Sequence, residues 1–143
     1  MLSLNSESLS KYVNVDFVVK LYRLTPEGKL RPIVTGIQRL RYRFGTVKDA
    51  PVEPGTVVEV SIDCWASSIQ LNKGDRLRLE VSSSAFPTYA RNLNTLEPIA
   101  TAKKAIVAKN RIFHDRVRAS HLVLPVTVNG AGDKIRFAEK AGH

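Results

Sequence analysis

Apolar and polar residues alternate along two stretches of this chain, at residues 38–44 and at residues 76–81. A period of two is typical of a strand that turns one face toward a core and the other toward water. Arginines fill most of the positions between the apolar residues, which suits a solvated face. The apolar positions, which we expect to face the core, are Leu40, Tyr42, Phe44, Leu77, Leu79 and Val81.

β-Branched and aromatic residues extend the strand pattern over much of the remaining chain. Residues 25–29 and 72–75 are expected to form turns, because both contain a glycine and the first also contains a proline. Residues 101–109 are dense in alanine and lysine, which leaves a helix there as the alternative to a strand. The predicted strands are 17–24, 30–44, 56–65, 76–81, 105–113 and 121–128.

This series of short strands, without a convincing amphipathic helix, predicts an all-β sandwich or jelly roll. A length of 143 residues fits a single domain. We expect the sandwich to span residues 1–128. Residues 129–143 are expected to form a C-terminal tail, because they carry no apolar pattern that would anchor them.

The amino-acid composition is that of a globular protein and argues against a membrane-spanning one. Hydrophobic residues make up 43% and charged residues 24% of the chain, and no run approaches the roughly 18 apolar residues of a membrane span. The N-terminus lacks a basic segment followed by an apolar one, so we expect a cytoplasmic protein without a secretory signal. The lone cysteine, Cys64, lies in a strand-like run and is expected to be a buried small hydrophobe in a reducing compartment.

Catalytic motifs are missing from the sequence. An α/β-hydrolase nucleophile needs a Gly-x-Ser-x-Gly turn, and no glycine in this chain has a serine two residues after it. The three serines at 82–84 follow a strand without a flanking glycine, so we expect their hydroxyls to satisfy backbone groups. Three histidines and one cysteine provide no pair at zinc-ligand spacing. We therefore expect no catalytic residue, no metal site and no cofactor. His114 and Asp115 could in principle act as an acid–base pair, but we expect them to form a turn instead.

The net charge of +9 raises the question of nucleic acid. A basic strand face could contact phosphates, with Tyr42 or Tyr89 as a stacking surface. However, the positions between inward apolar residues have to be polar in any case, and no phosphate loop or RNA-recognition motif accompanies them. We expect a solvated face or a protein contact rather than a nucleic-acid partner.

Several short motifs follow one another along the chain in a distinctive order. They include Arg-Leu-Arg-Tyr-Arg at 39–43, Val-Ser-Ser-Ser-Ala-Phe-Pro at 81–87, Arg-Asn-Leu-Asn-Thr at 91–95 and Ser-His-Leu-Val-Leu-Pro at 120–125. Over residues 2–126 the chain resembles the C-terminal, non-catalytic domain of the X-Pro dipeptidyl-peptidase and cocaine esterase-like hydrolases, a family that also includes α-amino acid ester hydrolases.

The resemblance implies a jelly-roll β-sandwich, similar to galactose-binding domains, that packs on an α/β-hydrolase domain and helps to shape its substrate pocket. The catalytic triad of such enzymes lies in the hydrolase domain, so no triad residue carries over, and whether this chain has peptidase or esterase activity stays open. Asp75 stands where the family commonly has histidine, Leu93 where it has proline and Leu96 where it has glycine. The family also carries strands before the segment matched here, so we expect a sandwich that lacks its first strands and exposes strand edges.

Four residues are expected to have structural or interface roles. Trp65 and Phe86 should be core or interface anchors, because large aromatic side chains dominate buried area. Arg91 and Asn92 should join the loop after residue 82 to strand backbone through their several donors.

The leading hypothesis for function is an accessory, non-catalytic domain that acts in binding or assembly. A first alternative is a subunit that completes the substrate pocket of a separately encoded α/β-hydrolase, or of a homo-oligomer formed through exposed strand edges. A second alternative is a carbohydrate- or anion-binding module, which only the fold and the charge suggest. We expect no membrane partner.

Overall fold

The structure is a computed structural model and describes residues 1–8, 14–46 and 48–127. This part of the chain contains a short 3₁₀ helix, Leu40–Tyr42, and no α-helix. Accordingly, no helix in these ranges is long and apolar enough to cross a membrane. The strands are β1 (Leu2–Ser8), β2 (Asp16–Leu24), β3 (Leu30–Arg39), β4 (Val57–Ile62), β5 (Arg76–Ser82), β6 (Asn110–Phe113) and β7 (His121–Leu122).

The strands form two antiparallel sheets. In the first sheet β1 is central, with β4 along one edge and β6 and β7 along the other. In the second sheet β2 is central, between β3 and β5. Both central strands are buried over part of their length, β1 at residues 2–4 and β2 at residues 16–19.

The two sheets pack face to face around one hydrophobic cluster. β1 and β4 contribute four of its residues and β2 contributes Phe17 and Val19, all at most 1% exposed. Full burial of such a side chain stabilises the fold by about 1.5–3 kcal/mol. The all-β sandwich predicted from the sequence is therefore confirmed. The cluster consists of Leu2, Leu4, Val15, Phe17, Val19, Leu40, Val60, Ile62 and Cys64.

The predicted alternation at 38–44 is wrong beyond Leu40. β3 ends at Arg39, and the next three residues turn into the 3₁₀ helix, so the period of two is lost. Leu40 is 1% exposed as expected, but Phe44 is 67% exposed. A local cause is Gln38, whose carboxamide donates to the carbonyl of Tyr42 at 2.8 Å and holds the chain in its turn.

The alternation in β5 correctly predicts which side chains face the first sheet, but it does not predict how far they are buried. Leu79 lies opposite Leu21 and Val81 lies opposite Val19, so these side chains share the face that turns toward the first sheet. Even so, Leu77 and Leu79 are each 38% exposed and Val81 is 36% exposed. The prediction that these three residues belong to the core is wrong, because β5 is an edge strand that the first sheet covers incompletely.

Other strand predictions differ at their ends. Residues 105–108 are irregular and only Asn110–Phe113 forms a strand, while the last strand is limited to His121–Leu122. The sequence pattern also missed β1, the central strand of the first sheet. The predicted C-terminal tail, residues 129–143, lies outside the described residues.

Candidate functional site: the loop after β5

The loop begins where β5 ends in three serines. The hydroxyl of Ser82 donates to the carbonyl of Ser84 at 3.1 Å, and the hydroxyl of Ser83 accepts a hydrogen bond of 3.2 Å from the carboxamide of Asn110. These contacts match the expectation that hydroxyls at a strand exit satisfy nearby polar groups. Among the described residues, neither hydroxyl is hydrogen-bonded to a base that could activate it.

Phe86 projects from a tight turn next in the loop. Ala85 is 6% exposed and accepts a hydrogen bond of 3.1 Å from the amide of Tyr89, which anchors the start of the turn. The peptide bond between Phe86 and Pro87 is cis. The Phe86 side chain is 67% exposed, and the guanidinium carbon of Arg91 lies 5.7 Å from the centre of its ring. The loop thus presents an aromatic side chain and a cation together at its surface.

Asn92 joins the loop to the chain just before β2. Its carboxamide donates to the backbone carbonyl of Asn14 at 2.7 Å and accepts from the amide of Asn94 at 2.9 Å. Asn94 adopts a φ of 58°, a left-handed conformation that asparagine tolerates better than most residues. In return, the side chain of Asn14, which is 5% exposed, donates to the carbonyl of Thr95. Two asparagines therefore hold this end of the loop from both sides.

A second chain segment fastens the loop from the C-terminal side. The amide of Ile106 donates to the carbonyl of Leu93 at 2.9 Å, and the side chain of Asn94 donates to the carbonyl of Ile106 at 2.8 Å. Asn14 and Asn94 were not singled out from the sequence. In the sequence each is simply an asparagine in a polar stretch, and such a pattern does not identify a hydrogen-bond partner far away along the chain.

A cavity of about 290 Å³ adjoins the end of this loop. Two arginines line it, but Arg39 is paired with Asp16 and Arg41 with Asp49. The Arg41 guanidinium lowers the pKa of the Asp49 carboxyl, which keeps the carboxylate charged beside it. The arginine charge is thus largely offset. The cavity is lined by Asn14, Arg39, Arg41, Tyr42, Leu96, Glu97, Pro98 and Ile99.

Trp65 lies outside this loop. It follows β4, in the region where Gly36 of β3 approaches the carbonyl of Asp63. Its φ is 58°, and its amide donates to the carboxylate of Asp63 at 2.9 Å, which holds the turn. The indole is 81% exposed. Trp65 and Phe86 were expected to be core or interface anchors, and their exposure excludes the core.

The His114–Asp115 pair forms a turn. The Asp115 carboxylate accepts from the amides of Val117 and Arg118 at 3.0 and 2.9 Å and also binds the Arg118 guanidinium. The backbone amide and the guanidinium of Arg118 lower the pKa of Asp115, so this carboxyl is a weak base engaged in the turn. Acid–base catalysis by this pair has no support in the geometry.

Cys64 is 9% exposed, and its burial raises the pKa of the thiol, which disfavours the reactive thiolate. In the described ranges no three histidine, cysteine, aspartate or glutamate side chains lie together as metal ligands. Within the described residues the arrangement is a β-sandwich with a hydrogen-bonded surface loop and exposed aromatic side chains, and no reaction centre is assembled there.

Comparisons with known proteins agree with this description. Residues 6–123 match the family described as the X-Pro dipeptidyl-peptidase C-terminal non-catalytic domain. The chain belongs to this family, and the resemblance found in the sequence is confirmed. It is 40% identical over 119 residues to the cocaine esterase of Rhodococcus sp. (strain MB1 Bresler), a match that covers 82% of this chain and 21% of that enzyme.

Two solved structures are also similar. An α-amino acid ester hydrolase labelled with selenomethionine superposes with a TM-score of 0.73 at 26% identity. An aminopeptidase from a marine sediment archaeon, Thaumarchaeota archaeon, superposes with a TM-score of 0.69 at 25% identity. Each match covers 83% of this chain and 21% of the other. The chain thus spans about a fifth of the length of these relatives.

Proposed function

We propose that this non-catalytic domain docks onto an α/β-hydrolase domain and completes the wall of its substrate pocket. The relatives are named as hydrolases of esters or peptides and are about five times as long as the segment that matches. The observation that carries the proposal is the exposed Phe86 on a loop that Asn92 and Asn94 fasten to the sandwich.

A docking surface needs apolar anchors that are ordered before binding, because ordering them during binding costs affinity. Phe86 and Trp65 meet this requirement, since both follow strands in hydrogen-bonded turns and both are exposed. Aromatic residues and arginine are also enriched among the residues that dominate interface energy. Arg91, next to the Phe86 ring, supplies an arginine beside this aromatic residue.

Co-expression with the part of the Rhodococcus cocaine esterase outside the matched segment tests the proposal. We expect the two polypeptides to co-purify and esterase activity toward an aryl ester to depend on the domain. Phe86→Ala and Trp65→Ala should each weaken the complex at least tenfold, about 1.4 kcal/mol. Val117→Ala is the matched control, since Val117 is 91% exposed in a turn elsewhere on the molecule.

Two results would contradict this function. One is turnover of X-Pro-nitroanilide or aryl ester substrates by the purified domain alone. The other is a complex with the hydrolase part that forms equally well with both aromatic side chains removed.

A cytoplasmic location is part of the same proposal. Its support is Cys64, a buried cysteine with no disulfide, which is usual for proteins of reducing compartments. Fractionation of cells that express the native gene would test the location, with recovery in a membrane or secreted fraction as the contrary result.

A further inference from the structure

The chain between β5 and β6 contains no strand and folds back on itself. Two hydrogen bonds hold its later part against its beginning. The amide of Ile106 donates to the carbonyl of Leu93 at 2.9 Å, and the carboxamide of Asn110 donates to the hydroxyl of Ser83 at 3.2 Å. The lysines that precede Asn110 therefore lie on the same part of the surface as the loop after β5. We call residues 83–109 the basic loop surface.

The basic loop surface carries more positive than negative charge. It contains four basic residues, Arg91, Lys103, Lys104 and Lys109, and one acidic residue, Glu97. All four basic side chains are exposed, and none forms an ion pair with a carboxylate among the described residues. The positive charge is therefore not offset within the fold. Five arginines elsewhere do have a carboxylate partner, and these are Arg23, Arg39, Arg41, Arg78 and Arg118.

Exposed apolar side chains accompany these charges. Phe86 is 67% exposed, Leu96 is 60% exposed and Val107 is 85% exposed. Arg91 lies beside the Phe86 ring, so a cation and an apolar side chain are in contact. A protein–protein interface typically combines an apolar centre with a polar rim. The basic loop surface has both kinds of side chain.

We propose that the basic loop surface docks on an acidic surface of the hydrolase domain, whose carboxylates surround an apolar site for Phe86. This inference rests on the proposed function and names the chemistry of the partner surface. Two surfaces of like charge repel, whereas unpaired lysines attract carboxylates within the Debye length, which is about 8 Å at physiological ionic strength. The partner is therefore acidic where it faces Lys103, Lys104 and Lys109.

The charges and the aromatic side chain act on different steps of binding. Complementary charge raises association rate constants from about 10⁵–10⁶ to as much as about 10⁸–10⁹ M⁻¹s⁻¹ at low salt. A buried apolar anchor such as Phe86 mainly slows dissociation. Trp65 lies outside the basic loop surface, and its turn is held by the carboxylate of Asp63. We therefore expect the lysines to act together with Phe86 and not with Trp65.

Binding kinetics test the proposal. The full chain is passed over the immobilised part of the Rhodococcus cocaine esterase that lies outside the matched segment. The salt concentration is raised from about 0.1 to about 1 M, which shortens the Debye length from about 10 to about 3 Å. We expect the association rate constant to fall at least tenfold, with a much smaller change in the dissociation rate constant. This measurement on the wild-type chain needs no variant.

Charge reversal identifies the residues. The double variant Lys103→Glu with Lys104→Glu should lower the association rate constant at least tenfold and weaken its dependence on salt. Lys29→Glu with Arg31→Glu is the matched control, because it makes the same change in charge at the exposed turn between β2 and β3. Trp65→Ala should weaken the complex without changing its dependence on salt. Circular dichroism of each variant shows whether the sandwich is folded.

Three results would overturn the acidic partner surface. A complex whose association rate is insensitive to salt and to the lysine substitutions contradicts it and leaves the proposed function standing. The absence of any complex contradicts the proposed function and this inference with it. Binding of short duplex DNA that depends on Lys103 and Lys104, when binding of the hydrolase part does not, assigns the surface to nucleic acid instead.

Discussion

The guanidinium of Arg39 binds both carboxylate oxygens of Asp16, at 2.7 and 3.0 Å, across directly paired positions of β2 and β3. The Asp16 side chain is 4% exposed and that of Arg39 is 25% exposed. The pair lies where β2 begins, close to the asparagines that hold the loop after β5. The position of this ion pair links the stability of the sandwich to the placement of the loop after β5.

Removal of the Arg39 side chain should destabilise the fold. Arg39→Ala leaves a buried carboxylate without its partner, and we expect a loss of about 2–3 kcal/mol in the free energy of unfolding. Arg41→Ala is the control, because the Arg41–Asp49 pair is more exposed and should contribute less than about 1 kcal/mol. Urea titrations of both variants measure the difference. Equal losses would show that burial does not decide the strength of these pairs.

Asn92 should hold the loop through its donor. Asn92→Asp keeps an oxygen for the amide of Asn94 but replaces the donor to Asn14 with a second oxygen. We expect a loss of about 1–2 kcal/mol and faster proteolysis within residues 83–95. Arg91→Ala serves as the comparison, because its contact with the exposed Phe86 ring should contribute only about 0.5–1 kcal/mol. Wild-type proteolysis of the Asn92 variant would refute this role.

Gly36 is required by the close approach of β3 and the segment after β4. In Gly36→Ala the new methyl carbon would lie 2.7 Å from the carbonyl oxygen of Asp63 and 2.9 Å from Ile62. The backbone has to move, and we expect a loss of about 2–3 kcal/mol in thermal or urea unfolding. Gly28→Ala meets no atom within 4 Å, so its cost should come from its φ of 82° alone and be about 1 kcal/mol.

The turn at Asp115 should weaken in acid. The folded-state pKa of Asp115 is lowered, first by the backbone amide of Arg118 and then by its guanidinium. The stabilisation is therefore present above the unfolded-state pKa of about 3.9 and is lost as the pH falls through the lower folded-state pKa. An NMR titration of the Asp115 carboxyl should give a midpoint below that of a model peptide. In Asp115→Asn the amide shifts of residues 117 and 118 should lose this acid transition.

Cys64 should react slowly with thiol reagents in the folded chain. Burial restricts access and raises the pKa of the thiol, so little thiolate exists at neutral pH. The rate with a chromogenic disulfide should rise strongly when urea unfolds the chain. Rapid reaction without denaturant would mean that the end of β4 opens in the native state.

The sequence by itself determined the fold class, the family and most strands after residue 16. These features are local: alternation with a period of two, turn residues, and motifs whose order can be compared directly. The sequence also showed that the Gly-x-Ser-x-Gly turn of an α/β-hydrolase nucleophile is missing, because that motif requires glycines at set positions around the serine.

Only the tertiary structure decided which apolar residues are buried. Leu79 and Leu4 are both leucines in alternating or short apolar stretches, yet they are 38% and 1% exposed. The difference arises because β5 is an edge strand while β1 lies at the centre of its sheet, and strand order is a long-range property. The same reason applies to Asn92 and Asn14, whose contact joins positions 78 residues apart and leaves no periodic trace in the sequence.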